Sequence, residues 1–246
     1  MLSLLQKEIS MFFSSLTGYL VVTVFLLLTG LFLWVLPGEM NVLFGGYASL
    51  ESLFFVAPWI YLFLVPAVTM RLFAEEKKGG TMELLLTRPM TELQIVMAKY
   101  LAGVVLVSIS LLPTFIYFWS VYQLGSPIGN IDMGATWGSY IGLFFLAAVY
   151  VSIGVFASSL TDNQIVAFVL AVVLCFTFFY GFEAMSELPA LKGWSETLAF
   201  MGINDHYKSV SRGVVDSRDV IYFISIIALF VAATRMVLCS RKWSID

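Results

Sequence analysis

Two adjacent carboxylates, Glu75-Glu76, are the residues of this chain whose types and spacing most invite a chemical reading. Some membrane-embedded proteases use paired glutamates with histidines to hold a catalytic metal that activates water. The sequence has a single histidine, His206, far from the pair, and no His-Glu-x-x-His. Protease chemistry is therefore set aside, and His206 is expected to be a surface or interface residue. Nucleotide chemistry is missing too: nothing matches Gly-x-x-x-x-Gly-Lys-Ser/Thr. If ATP drives this protein, the ATP and its magnesium sit on another chain, and no cofactor, metal or catalytic residue is expected here. The two cysteines, Cys175 and Cys239, lie in apolar runs and are expected to be buried thiols.

Composition then says what must position these residues. Of the 246 residues, 60% are hydrophobic and only 12% are charged. A soluble domain carries about 25% charged residues, so the solvent for most of this chain is a lipid bilayer. No basic patch is large enough for nucleic acid. A spanning helix needs about 20 mostly apolar residues, and six candidates occur, near 19–36, 52–70, 100–124, 137–158, 164–182 and 220–239. The expected fold is an all-α membrane protein with six transmembrane helices, a single domain over 1–246. The start, 1–18, has no small-residue cleavage site and is expected to be an uncleaved signal-anchor.

An even number of spans places both termini on one side. Sorting the cations by that topology gives nine on the side of the termini and four (Lys192, Lys208, Arg212 and Arg218) on the other. Cation-rich short loops stay in the cytoplasm, so both termini, the loop after the second span and the turn at Asp162 are expected there.

The loop after the second span is the most informative piece. From Arg71 to Lys99 it carries five of the thirteen cations: Arg71, Lys77, Lys78, Arg88 and Lys99. Arg71 and Glu75 stand four apart and could pair on one helix face. Gly79-Gly80-Thr81 predicts a break, followed by an amphipathic turn, Met82-Glu83-Leu84-Leu85-Leu86, that ends before Pro89. Thr91 and Gln94 have capping-box spacing and predict where the third helix starts. The plainer reading is a stop-transfer loop whose charges only fix orientation. A helix-break-helix elbow with an apolar face, in contrast, needs something to dock against.

Three other segments are readable. Residues 1–16 place Leu2, Leu5, Ile9, Phe12, Phe13 and Leu16 at mixed helical spacing, with Lys7, Glu8 and Ser14 elsewhere, as in a helix lying at the membrane surface. Asn163 and Gln164, after Asp162, are expected to cap the fifth span. The segment 183–219 is too polar to span and is expected to form short re-entrant or interfacial helices on the outer side, anchored by Trp194. The cores of the first five spans hold no ionisable residue, which argues against an ion-coupled transporter. A membrane scaffold for secretion or adhesion machinery remains the alternative; it would not need an ordered elbow.

The elbow residues Arg71, Ala74-Glu75-Glu76, Gly80-Thr81, Glu83-Leu84-Leu85, Pro89 and Lys99 resemble the cytoplasmic elbow of type-2 ABC export permeases. Lys7-Glu8, Phe13-Ser14 and Tyr19 resemble that family's start. Ala157 to Gln164 resembles its turn between spans four and five, and His206-Tyr207, Ser211-Arg212-Gly213 and Asp216 to Phe223 resemble its approach to span six. Within the family the chain is most similar to the gliding-motility-associated permeases of Bacteroidetes, on Phe55-Val56-Ala57-Pro58-Trp59 and Ile128-Gly129-Asn130-Ile131-Asp132. The resemblance implies a bacterial inner-membrane permease without ATPase activity, paired with a second copy or a related permease. It implies a cytoplasmic ABC ATPase dimer that binds ATP and magnesium, and an auxiliary subunit with a large outer domain. It also implies that the elbow, including Arg88, is a coupling helix. Two glycines at 79–80 predict a looser joint than the family's.

Overall fold

The computed structural model describes residues 1–86 and 89–242. Among the described residues there is no strand, and six helical segments are long and apolar enough to cross a membrane. They are Gly18–Val35, Glu51–Lys78, Glu92–Leu124, Met133–Leu160, Gln164–Ser186 and Ser217–Ser240. The fold is all-α with six spans, and the two ends of the described chain lie at the same end of the bundle, here the terminal end.

The chain opens with α1 (Leu2–Ser14). Ser15 is extended (φ −102°, ψ 153°), and the chain turns there into α2 (Leu16–Gly30), the body of the first span. Gly18 sits where the chain folds back: a Cβ there would meet the Phe12 carbonyl oxygen at 2.4 Å.

The second span consists of α3 (Glu51–Thr69) and α4 (Arg71–Lys78). The apolar run ends at Met70, and the sequence places the helix break later, at Gly79-Gly80-Thr81. Met70 keeps helical angles (φ −53°, ψ −31°) and the helix runs on to Lys78. Arg, Ala, Glu and Lys are all good helix formers, so a change from apolar to charged does not unwind the backbone. Gly79-Gly80 does: Gly80 has φ +66°, a conformation only glycine adopts cheaply. A short helix, α5 (Met82–Leu86), follows.

The third span starts at the expected capping box. Thr91 Oγ1 accepts from the Gln94 amide at 3.3 Å, and the Thr91 amide donates to Gln94 Oε1 at 3.2 Å. This span is α6 (Glu92–Leu111), a 3-10 turn at Leu112–Thr114 that contains Pro113, and α7 (Phe115–Leu124). The fourth span, α8 (Met133–Leu160), is capped by Asp132, whose Oδ1 accepts from the Ala135 amide at 3.0 Å. The fifth is α9 (Gln164–Phe176), a π turn, and α10 (Phe182–Ser186); the sixth is α13 (Ser217–Lys242).

The core lies between the second, third and fourth spans, whose apolar windows are 72%, 61% and 78% buried, against 28%, 22% and 22% for the first, fifth and sixth. Small residues on α8 make this packing possible. Gly154 lies against Thr69, and a Cβ there would fall 1.9 Å from Thr69 Oγ1. Helices in lipid associate through such close approaches, because lipid tails are as apolar as the side chains. At the opposite end, between the fifth and sixth spans, lie a 3-10 turn (Pro189–Trp194), α11 (Ser195–Met201) and α12 (Ile203–Ser211).

Candidate functional site

Three of the four sequence blocks that carried the resemblance meet at the terminal end, around α4 and α5. The pivot is Lys99, about two turns into α6 and 1% exposed. Its ammonium donates to Glu8 Oε1 at 2.9 Å and to the Leu72 carbonyl at 2.6 Å, and forms an ion pair with Glu76 Oε1 at 3.0 Å. The Phe73 ring lies 5.1 Å from it. Lys7 adds a longer contact to Glu76, at 3.7 Å. Glu76 Oε2 is buried without a hydrogen-bond partner. A cavity of about 170 Å³ separates α1 from α4 beside this cluster, lined by Lys7, Glu8, Arg71, Glu75, Glu76 and Thr81 among others.

Glu8 corrects a sequence expectation. It does not sit on the polar face of α1 but at 3% exposure between Leu4 and Phe12, in the ridge seated against the third span. The expected apolar set is split: Phe12 is buried, Leu5, Ile9 and Phe13 are partly buried, and Leu2 and Leu16 are exposed. Arg71 also differs from expectation, forming no ion pair with Glu75 within 4 Å. Its guanidinium stands over the Phe12 ring at 4.6 Å and donates to Ser15 Oγ at 3.4 Å. The neighbouring α1 captures it before the i+4 carboxylate can.

The paired glutamates face different ways. Glu76 turns inward to Lys99, while Glu75 is exposed. Gly80 and Thr81 form the break, where the Thr81 amide and hydroxyl both donate to the Glu76 carbonyl, at 3.0 and 3.3 Å. In α5, Met82 and Leu85 are buried, whereas Glu83 and Leu84 are exposed, Leu84 by 69%. Pro89 is exposed. Arg88 lies outside the described residues.

The turn between the fourth and fifth spans touches α4 directly. Ser158 Oγ accepts from the Phe73 and Ala74 amides at 3.0 and 3.1 Å and donates to the Met70 carbonyl at 2.8 Å. One hydroxyl thus satisfies the backbone groups loosened at Met70, which is how an inserted side chain sustains a local irregularity. Lys77 donates to the Ser159 carbonyl. Beyond that contact, Asn163 caps α9 by accepting from the Ile165 amide at 2.9 Å; Gln164 is the first helical residue, and Asp162 is exposed.

At the opposite end His206, expected as a surface or interface residue, is buried at 2%. Its Nδ1 lies 2.7 Å from Asp219 Oδ1 and its Nε2 lies 2.9 Å from the Phe200 carbonyl, while the ring stacks on Tyr222 at 3.8 Å. Asp219 Oδ2 is buried without a partner. The next cap, Asp216, is held below the usual carboxylate pKa by the Arg218 backbone amide, chiefly, against a small opposing effect of desolvation. Arg212 lines a cleft of about 550 Å³ with Glu51, Asp132, Tyr207 and Lys208. Gly213 has φ +91°, and a Cβ there would meet the Gly134 backbone at 2.7 Å. Trp194 is 67% exposed and belongs to neither cluster. Among the described residues no group of His, Cys, Asp or Glu is arranged to hold a metal ion.

Sequence reasoning named Glu76, Lys99 and His206 among the motif residues but missed Glu8 as the partner of Lys99 and Asp219 as the partner of His206. The available signal was a lone ionisable residue inside an apolar stripe: Glu8 between Leu4 and Phe12, Lys99 between Ile95 and Gly103.

The fold and these two polar clusters define a six-span, multi-pass helical membrane protein with an ordered connector at its terminal end. Residues 2–240 match the family described as ABC-2 family transporter protein, and the chain belongs to that family. It is therefore the membrane permease component of an ABC complex, a family that works with a cytoplasmic ABC ATPase. No curated protein matches the sequence.

Proposed function

We propose that this chain is the permease of an inner-membrane complex in which α4 and α5 are the coupling elbow seated in the ATPase. The observation that carries the reading is the two-sided build of this segment. Its inner side is tied to α1, α6 and α8 through Glu76 and Lys77, with Met82 and Leu85 buried, while Glu75, Thr81, Glu83, Leu84 and Pro89 stay exposed on the outer side. An exposed apolar residue flanked by charges, on a rigid base, suits an interface. A stop-transfer loop would need no such base.

In this reading both termini and the elbow face the bacterial cytoplasm, and the ATPase dimer holds ATP and magnesium. Asp162, Asn163 and Gln164 lie beside the same motor. A second permease packs along the apolar groove between the first, second and fifth spans, lined by Leu20, Val24, Phe32, Trp59, Phe63 and Phe168. The outer segment, with Trp194 and Arg212, receives an auxiliary subunit. The nearest functional setting is the gliding-motility-associated permeases, as export or as transmission of motion to an outer partner. A ligand-driven shift of this kind requires the ATP-bound motor to prefer one permease state.

The test is purification in mild detergent, identification of co-eluting chains, and ATP turnover of the chain alone beside the complex. The chain alone should hydrolyse no ATP. Glu75→Ala with Glu83→Ala should insert normally but weaken ATPase association, since a charge-assisted contact contributes about 1.5–3 kcal/mol. Unchanged association and turnover in that variant would return the elbow to a stop-transfer loop.

A further inference from the structure

We infer that α1, the elbow and the base of the third span form one lever pinned by Lys99, which delivers elbow displacement to the first span. Lys99 and Glu8 are then positioning residues. The inference rests on the proposed coupling role of the elbow.

The geometry has three parts. Lys99 bridges Glu8 on α1 to Glu76 on α4 and also donates to the Leu72 carbonyl, and it is 1% exposed. Arg71 forms a second link between the same elements, over Phe12 and to Ser15. Ser15 is the hinge residue from which α2 starts, so this second link lies at the foot of the first span. Finally, the first span is the less buried of the two, with 28% of its window buried against 72% for the second; Phe25 stacks on Tyr61 at 4.4 Å and Tyr117 donates to the Leu26 carbonyl at 3.1 Å.

Sliding the elbow past α1 would strip Lys99, itself 1% exposed, of a carboxylate. A buried charge left unpaired is costly, so the economical motion keeps all three contacts and carries α1 along. The first span, mostly unburied along its length, follows its foot. Motion entering at the elbow thereby reaches two spans: the second because α4 continues it, and the first through α1. The charges in and around the cluster (Lys7, Glu8, Arg71, Glu75, Glu76 and Lys99) balance, so nothing in it drives α1 and the elbow apart.

The test uses spin labels at Gln6 and Lys78, exposed residues on α1 and α4, in a Cys239→Ser background, with distances measured in lipid. A second pair, Gln6 with Asp162, reports motion of the lever against the fifth span. In the ATPase complex, ATP should shift the Gln6–Asp162 distance and leave Gln6–Lys78 narrow and unchanged. In the isolated chain, Lys99→Met should broaden Gln6–Lys78, and Glu8→Gln, which keeps the side-chain shape, should broaden it less. An ATP-dependent change in Gln6–Lys78, in a complex that turns over, would overturn the lever. So would a distribution as narrow in both variants as in the parent. If no ATPase co-purifies, the coupling role fails, while the two variants still decide whether Lys99 holds α1 to the elbow.

Discussion

Lys99→Met is the substitution whose cost can be worked most directly from the structure. Met preserves the aliphatic stem and removes the charge. Glu76 would keep Lys7 at 3.7 Å, but Glu8, with its side chain 4% exposed, has no other ion pair. The Leu72 carbonyl also loses its lysine donor. Removing one partner of a buried pair costs about 3–5 kcal/mol, whereas an exposed pair is worth about 0–1 kcal/mol. Replacing the carboxylate as well, in Lys99→Met with Glu8→Leu, should recover most of the loss, because apolar substitutes for a buried pair are often neutral. The assay is unfolding in mixed micelles with rising SDS fraction, followed by tryptophan fluorescence. The expected order of stability is parent, then the double variant close behind, then the single variant well below. A single-variant loss under about 1 kcal/mol, or a double variant less stable than the single one, would refute the reasoning.

Three further outcomes follow from the fold. Gly213→Ala should destabilise by at least about 1–2 kcal/mol from the left-handed backbone alone, with more from the 2.7 Å approach to Gly134; thermal unfolding in detergent reads this, and a neutral variant would contradict the close approach. His206→Phe keeps a ring against Tyr222 but leaves Asp219 buried without its partner, at about 1–3 kcal/mol; limited proteolysis should then cut 183–216 faster than in the parent. Cysteines introduced at Gly79 and Gly193, both exposed, should label from opposite sides of the membrane, and labelling of both from outside would break the six-span topology.

Local signals were legible because their physics is local. The Thr91–Gln94 capping box, the Asn163 cap and the Gly80 break each depend on a few consecutive residues, and each appears where the sequence places it. The six spans were legible for a related reason: in lipid every backbone group must be satisfied within its own helix, so a long apolar run dictates its structure. The apolar run of the second span ends at Met70 but its helix does not, since the change from apolar to charged at Arg71 marks solvent and leaves helix propensity intact.

What tertiary structure alone decided is which charges meet. Glu8 and Lys99 are 91 positions apart, and each looks like an isolated ion in an apolar stripe until α1 folds onto the third span. On α1 the ridges Leu4–Glu8–Phe12 and Leu5–Ile9–Phe13 differ by one residue, roughly 100° around the helix, and both contain apolar residues. The choice between them depends on the surface that receives the helix, as does the capture of Arg71 by Phe12 in place of Glu75. His206 follows the same rule, since its burial comes from Asp219 and Tyr222 on the following helix. The sequence by itself determines that this chain has six spans and where its third and fifth spans begin. Long-range packing determines its ion-pair partners, because a buried charge takes whichever opposite charge the fold brings within reach.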